Sequence, residues 1–291
     1  MPGLQWIGLL LVGRSAQQGP PLLAAMRWWS SRGGQASFKR DEEAKLLLTC
    51  AAQWGRRVVH IFDQGEAFGL WLGLLVALDL RFALRWRKDY QLIDAQGNKR
   101  KAWHIARGKR GSGERLLWDS RRARGVQASV LVLPVYHPEQ PEVALSLVVC
   151  RSAGRFPWYL LTTEAVTCEE EAWQVVFAYV RRWHIEQTWR DDKSELAFQS
   201  PRLWYWQERE KVLLMATLAY AFRLTLLEPC YDPLRFWLLR SSCHRTGWHC
   251  RQAKAPLSRL RSALSRLWQK YPPNFARLAQ RRQSSVHLLS A

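Results

Sequence analysis

Tyr179-Val-Arg-Arg182-Trp-His-Ile-Glu186-Gln-Thr-Trp-Arg-Asp-Asp-Lys193 is the stretch whose reading decides the fold. Its polar residues Tyr179, Arg182, Glu186 and Lys193 recur so that, at about 100° per residue, all four fall within an arc of about 60° on one helix face. An ordinary core helix turns an apolar stripe inward. This face carries a phenol, a guanidinium, a carboxylate and an ammonium, bordered by Ala178, Ile185 and Trp189 on one side and Trp183 on the other. A carboxylate among cations allows three readings: a solvated face, a paired structural ion, or a ligand holding a divalent metal beside a polyanion whose phosphates the cations grip. Periodicity alone leaves all three open and favours the solvated face.

Composition bounds the partners. The chain has 291 residues, 48% hydrophobic, enough for a real core in one large domain or two. A net charge of +20 points to a polyanionic partner, nucleic acid before membrane. Seventeen Trp exceed what a chain of this size usually carries; packing must absorb most of them, leaving a few free to stack on bases. Six Cys without regular spacing argue for reduced thiols in a cytoplasm. Cys243-His244 and His249-Cys250 depart from zinc-ligand spacing and are read as structural. The apolar runs at Ile7 to Val12 and Leu70 to Leu80 are too short to span a bilayer, so no membrane segment is expected.

Along the chain, Ile7 to Val12 and Leu22 to Trp29 read as strands and Ser37 to Trp54 as a helix with acidic residues in its first turn. Arg57 to Phe62 reads as a strand ending at Asp63, followed by a helix over Ala67 to Leu78 and a strand over Leu80 to Arg87. Asp63 is either a helix N-cap or a site residue at a strand's carboxyl end. Between Tyr90 and Phe156 strands are expected at Ala102 to Ile105, Val126 to Tyr136 and Val143 to Cys150. Thr167 with Glu170 reads as a capping box opening a helix that runs to about Leu196. Helices over Glu208 to Leu227, Pro233 to Leu239, Pro256 to Tyr271 and Phe275 to about Leu278 follow, before a frayed tail.

Tyr-x2-Arg-x3-Glu-x6-Lys, matched by Tyr179, Arg182, Glu186 and Lys193, resembles the motif of DDE transposases of the insertion-sequence-four family. Trp158-Tyr-Leu-Leu-Thr-Thr-Glu164 resembles the strand preceding that helix in the family. Val58-Val-His-Ile-Phe-Asp63 resembles the strand that ends in its second catalytic Asp. The resemblance covers most of the chain from Ile7 to about Leu227. It implies an α/β fold: a ribonuclease H-like core in residues 1–89 and 157–227, interrupted by a β-rich insertion over 90–156 and followed by C-terminal helices over 228–291.

The resemblance also implies an activity: phosphodiester cleavage and strand transfer at transposon ends by a two-metal Mg²⁺ (or Mn²⁺) site. Asp63 and Glu186 would be the catalytic metal ligands. Tyr179, Arg182 and Lys193 would hold DNA phosphate, and Trp158 would stack on a flipped base. Double-stranded DNA is the implied partner, a homodimer in a synaptic complex the implied assembly, and a bacterial cytoplasm the implied setting. The family's first catalytic Asp has no counterpart, because no Asp precedes Asp41, which opens a helix. In the family that missing residue sits on a strand between those read here at Ile7 to Val12 and Val58 to Phe62. The expectation is therefore an N-terminally truncated transposase with two unpaired sheet edges that neither folds fully nor cuts DNA alone. The competing readings are a non-enzymatic DNA-binding remnant that inhibits transposition and another ribonuclease H-like metal-dependent nuclease.

Overall fold

The computed structural model describes residues 5–12, 22–34, 36–119, 124–183, 185–186, 205–242 and 257–271. Two compact units divide the chain: Met1–Leu10 with Ala24–Glu186, and Leu11–Leu23 with Gln187–Ala291.

The first unit is mixed α/β. β1 (Gln5–Leu11) and β2 (Leu22–Trp29) pair as a two-stranded sheet. α1 (Lys39–Trp54) precedes β3 (Val59–Phe62), α2 (Gly69–Ala77) and β4 (Arg81–Arg85). Then come β5 (Gln91–Asp94), β6 (Lys99–Lys101), α3 (Ala102–Ala106), β7 (Ser112–Asp119), β8 (Arg124–His137), β9 (Gln140–Ser152) and β10 (Trp158–Thr162). α4 (Glu169–Val180) follows β10. An eight-stranded sheet runs in the order β3-β4-β10-β9-β8-β5-β6, with β7 added on β8. β3 and β4 are parallel, whereas β10 runs antiparallel to β4 and β9.

Burial on both faces explains the continuous apolar runs. Phe82, Leu84, Leu147, Val149 and Leu161 face one side with Trp71, Leu72 and Leu75 of α2. Ala83, Val148, Cys150 and Leu160 face the other with Trp173, Val175 and Val176 of α4. Period-two alternation thus sorts each central strand between two helical layers. Residues 90–156, read as an insertion, supply β5 to β9 and extend this same sheet.

The Trp158 to Glu164 segment fastens β10 to β4. The Arg81 Nε donates to Glu164 at 2.7 Å, the Thr162 hydroxyl donates to the Phe82 carbonyl, and the Thr163 hydroxyl donates to the Leu80 carbonyl at 3.3 Å.

Three local expectations are corrected. Ala102 to Ile105 is helix α3, not strand: the Ala102 and Trp103 amides donate to the Tyr90 and Lys88 carbonyls, which turns the chain out of the ladder. The capping residue is Cys168, one position later than expected. Glu171 accepts from the Thr167 amide at 2.7 Å and the Cys168 amide at 3.3 Å, while Glu170 pairs with Arg115 at 2.5 Å. The helix expected to run to about Leu196 is interrupted after Val180, because the Arg182 amide donates to Tyr179 and the Ile185 amide to Arg182, three residues back in each case; Gln187 to Leu196 lie outside the described residues. These tighter turns break the α-helical ladder; Trp183, Ile185 and Glu186 are helical again.

The second unit holds α5 (Trp206–Thr225), α6 (Asp232–Ser242) and α7 (Leu257–Lys270) around Leu226, Leu238, Leu239, Leu260 and Ala263. Among the described residues no single helix is long and apolar enough to cross a membrane. α5 and the following helix pass that test only when joined across an 82° bend.

Candidate functional site

Asp63 directly follows β3, whose Phe62 pairs with Leu84 of the parallel β4. One step further along the same ladder puts Asp63 level with Arg85. The Arg85 Nη1 lies 3.9 Å from Asp63 Oδ1 and 3.5 Å from the Tyr179 hydroxyl. Packing of α4 on the opposite sheet face buries the Tyr179 ring and aims its hydroxyl at the strand tip. That hydroxyl donates to Asp63 Oδ1 at 2.9 Å. Burial, then the Asp63 charge, push the Tyr179 pKa up, so the phenol stays a neutral donor.

Arg182, carried on the turn after α4, touches both carboxylates. Its Nη1 lies 3.5 Å from Asp63 Oδ2 and its Nη2 donates to Glu186 Oε1 at 2.8 Å. Its guanidinium also sits over the Tyr179 ring at 5.9 Å. The tight turn brings Tyr179 and Arg182 to one carboxylate. Burial alone would raise the Asp63 pKa, but the Gln64 amide, Arg182, the Tyr179 hydroxyl and Arg85 together hold it below its ordinary value. Asp63 is thus ionised at neutral pH, and its side chain remains 46% exposed, open to a ligand. It also occupies the N-cap position of the short 3₁₀ turn Gln64–Glu66.

The half-buried Trp158 packs edge-on against Tyr179, ring centroids 5.3 Å apart at 65°. Five of the six sequence-nominated residues therefore gather in one place: Asp63, Trp158, Tyr179, Arg182 and Glu186. Lys193 lies outside the described residues, as do Cys243, His244, His249 and Cys250. Arg85 was missed. Its signal was present: a cation at the carboxyl end of a strand, 22 residues after Asp63 and one βαβ crossover away.

Chemically, two carboxylates and two guanidiniums meet here with cancelling formal charge. Two hard oxygen donors suit Mg²⁺ or Mn²⁺, and the described residues gather no group of three or more His, Cys, Asp and Glu. A scan against protein-family models and a search of curated proteins each found nothing that matches this chain.

Proposed function

We propose that this chain binds DNA ends through a ribonuclease H-like core of the DDE transposase type. Its site would grip phosphodiester backbone and hold one divalent ion, without cutting DNA by itself. The observation that carries the reading is Arg182, whose one guanidinium contacts Asp63 from a strand tip and Glu186 from a helix. A lone surface ion pair needs no such bridge, and a solvated helix face needs no second carboxylate from another element. The +20 charge supports a polyanionic partner for the chain as a whole.

In this reading Arg182 and Arg85 take a phosphate by charge-assisted hydrogen bonds, and the Tyr179 hydroxyl orients Asp63. Trp158 offers a ring to an unstacked base, a contact worth about 1–3 kcal/mol. A bound Mg²⁺ would supply Lewis-acid polarisation of a phosphoryl oxygen from Asp63 and Glu186. Among the described residues the site gathers two carboxylates, Asp63 and Glu186, fewer than cleavage and strand transfer by two metals need, and the role proposed for it is binding without turnover.

The test is salt-titrated binding to hairpin-forming insertion-sequence ends and to random duplexes, with Mg²⁺ present. Expected are a steep fall of affinity with salt, preference for the ends, no cleavage, and loss of the hairpin preference in Trp158→Ala. Binding indifferent to salt and to Arg182→Ala would refute the nucleic-acid reading. Cleavage abolished by Glu186→Gln would refute the inactivity.

A further inference from the structure

Residues 99–110 carry six Lys and Arg and no Asp or Glu, where the chain's average of 44 cations in 291 residues gives about two. Folding turns that density outward. Ala102, Ile105 and Ala106 of α3 are buried in the core on the α2 side of the sheet, while Lys99, Arg100, Lys101, Arg107, Lys109 and Arg110 are all exposed. Arg100 pairs with Asp94 at 3.4 Å; among the described residues the other five have no ion pair. The half-buried Trp103 lies against the His104 ring, with the Arg107 guanidinium 5.9 Å from its centre.

Backbone contacts fix these cations in place. Arg151 of β9 donates to the Lys109 carbonyl at 2.5 Å and to the Ala106 carbonyl at 2.7 Å, and Gly108, at φ 73°, makes the turn between them. A turn already fixed loses little freedom when its side chains take an anion. The start of α3 is tied to the turn after β4: the Ala102 amide donates to the Tyr90 carbonyl at 3.0 Å and the Trp103 amide to the Lys88 carbonyl at 3.1 Å. β4 leads back to the candidate site. Leu160 pairs with Arg85, and the Trp86 amide donates to the Tyr159 carbonyl at 2.7 Å, which brings Arg87 level with Trp158. Cations thus follow one another from Arg85 beside Asp63, through the exposed Arg87 and Lys88, to α3 and the turn after it. The acids between Arg85 and Arg110 are Asp89 and Asp94, and Asp94 is buried, accepting from the Gln96 and Asn98 amides.

We infer that this track is a second nucleic-acid contact, which takes the sugar–phosphate backbone of the duplex running on from a DNA end held at Asp63 and Glu186. A row of cations without carboxylate partners complements a row of phosphates, one charge per about 1.7 Å of duplex axis. An anionic membrane also attracts cations, but a segment lying on it buries an apolar face there. Residues 99–110 turn their aliphatic side chains into the core instead. Phosphate contacts carry no sequence information, so the track binds any flanking sequence and leaves end preference to the site. The track rests on the DNA reading for the class of its ligand, and residues 99–110 are separate from the residues of that site.

Two variants of the full chain with equal net charge test it. Lys99→Gln/Lys101→Gln/Lys109→Gln removes three cations of the track, and Arg32→Gln/Lys211→Gln/Arg240→Gln removes three exposed cations elsewhere. Binding to an insertion-sequence end of about 20 base pairs is titrated with salt. The first variant should lose about two to three units of salt slope and at least about tenfold in affinity at low salt; the second should lose under about one unit. Both should keep the parent's preference for ends over random duplexes and its Mn²⁺ affinity. Unchanged amide exchange in β8 and β9 would show that the first variant still folds. Equal losses in the two variants overturn the track, because net charge alone then accounts for them. So does an unchanged salt slope in the first variant while the parent still binds ends, a result that leaves the DNA reading standing. Binding to phosphatidylserine vesicles that exceeds binding to the duplex and is lost in the first variant overturns the assignment in favour of a membrane. A parent that binds no DNA overturns the track and the DNA reading together.

Discussion

Replacing Arg182 by Ala should strengthen divalent-cation binding while weakening DNA binding. The guanidinium lies 3.5 Å from Asp63 and 2.8 Å from Glu186, beside the place where two carboxylates would share a cation. Removing one positive charge about 4 Å from that place changes the energy of a neighbouring charge by about 1 kcal/mol in water and about 4 kcal/mol at an effective dielectric near 20. The Asp63 and Glu186 side chains are 46% and 39% exposed, so the change belongs near the lower limit, about 1–2 kcal/mol per unit of ligand charge. For Mn²⁺, with two charges, this is about 2–4 kcal/mol, or binding about thirtyfold to several hundredfold tighter in Arg182→Ala. Loss of the free-Mn²⁺ electron paramagnetic signal reads that directly. The same variant should lose about one unit of salt slope on DNA, as removal of one phosphate contact requires. Unchanged Mn²⁺ affinity would refute the argument, because it would mean that the two carboxylates do not address a common point.

Tyr179→Phe removes the donor to Asp63 and should cost about 1 kcal/mol in urea unfolding at pH 7, with the loss shrinking as Asp63 protonates in acid. Glu42, buried on α1, accepts from Arg27 at 2.5 Å, Ser37 at 2.8 Å and Lys45 at 2.7 Å. Burial alone would raise its pKa; Lys45, Arg27 and Ser37 reverse that and lower it from 4.5 to about 2. A depressed carboxylate contributes stability above its unfolded pKa that is lost as pH falls toward the folded one, so stability should drop between pH 4.5 and 2. With Arg27 and Lys45 38% and 52% exposed, screening leaves about 1–2 kcal/mol, and Glu42→Gln should flatten the acid limb of chemical unfolding measured against pH. Arg81→Ala should uncouple β10 from β4 by leaving Glu164 without its ion pair, at about 1–2 kcal/mol and with faster amide exchange in β10.

The sequence made the central strands and the site residues legible for physical reasons. Runs such as Leu147 to Cys150 are apolar at every position because α2 and α4 cover both faces, and such runs survive any error of register. The i, i+4 relation of Arg182 and Glu186 is local, so it holds although the helix breaks between Val180 and Trp183. What periodicity could not show was that break, because it depends on the Arg182 and Ile185 amides choosing partners three residues back. Ala102 to Ile105 was misread for a similar reason: its apolar residues are buried, but long-range bonds to Tyr90 and Lys88 set its backbone. Arg85 was legible only through topology: a βαβ crossover makes β3 and β4 parallel, and that pairing sets Arg85 level with Asp63.

Cancelling charge at the site has a consequence for the order of binding in the proposed reading. While Arg182 bridges Asp63 and Glu186, a divalent ion must displace or outbid a guanidinium already in contact with both carboxylates. A DNA phosphate offers that guanidinium a competing anion with bidentate geometry. Once Arg182 turns to the phosphate, the carboxylates lose their internal counter-ion and favour the metal, whose shell the phosphate oxygens also help to complete. Each ligand therefore raises affinity for the other, and linkage makes the effect equal in both directions. Arg182→Ala deletes the guanidinium that the two ligands trade most directly, so the coupling that remains in that variant comes from direct metal–phosphate contact and from Arg85, 3.9 Å from Asp63.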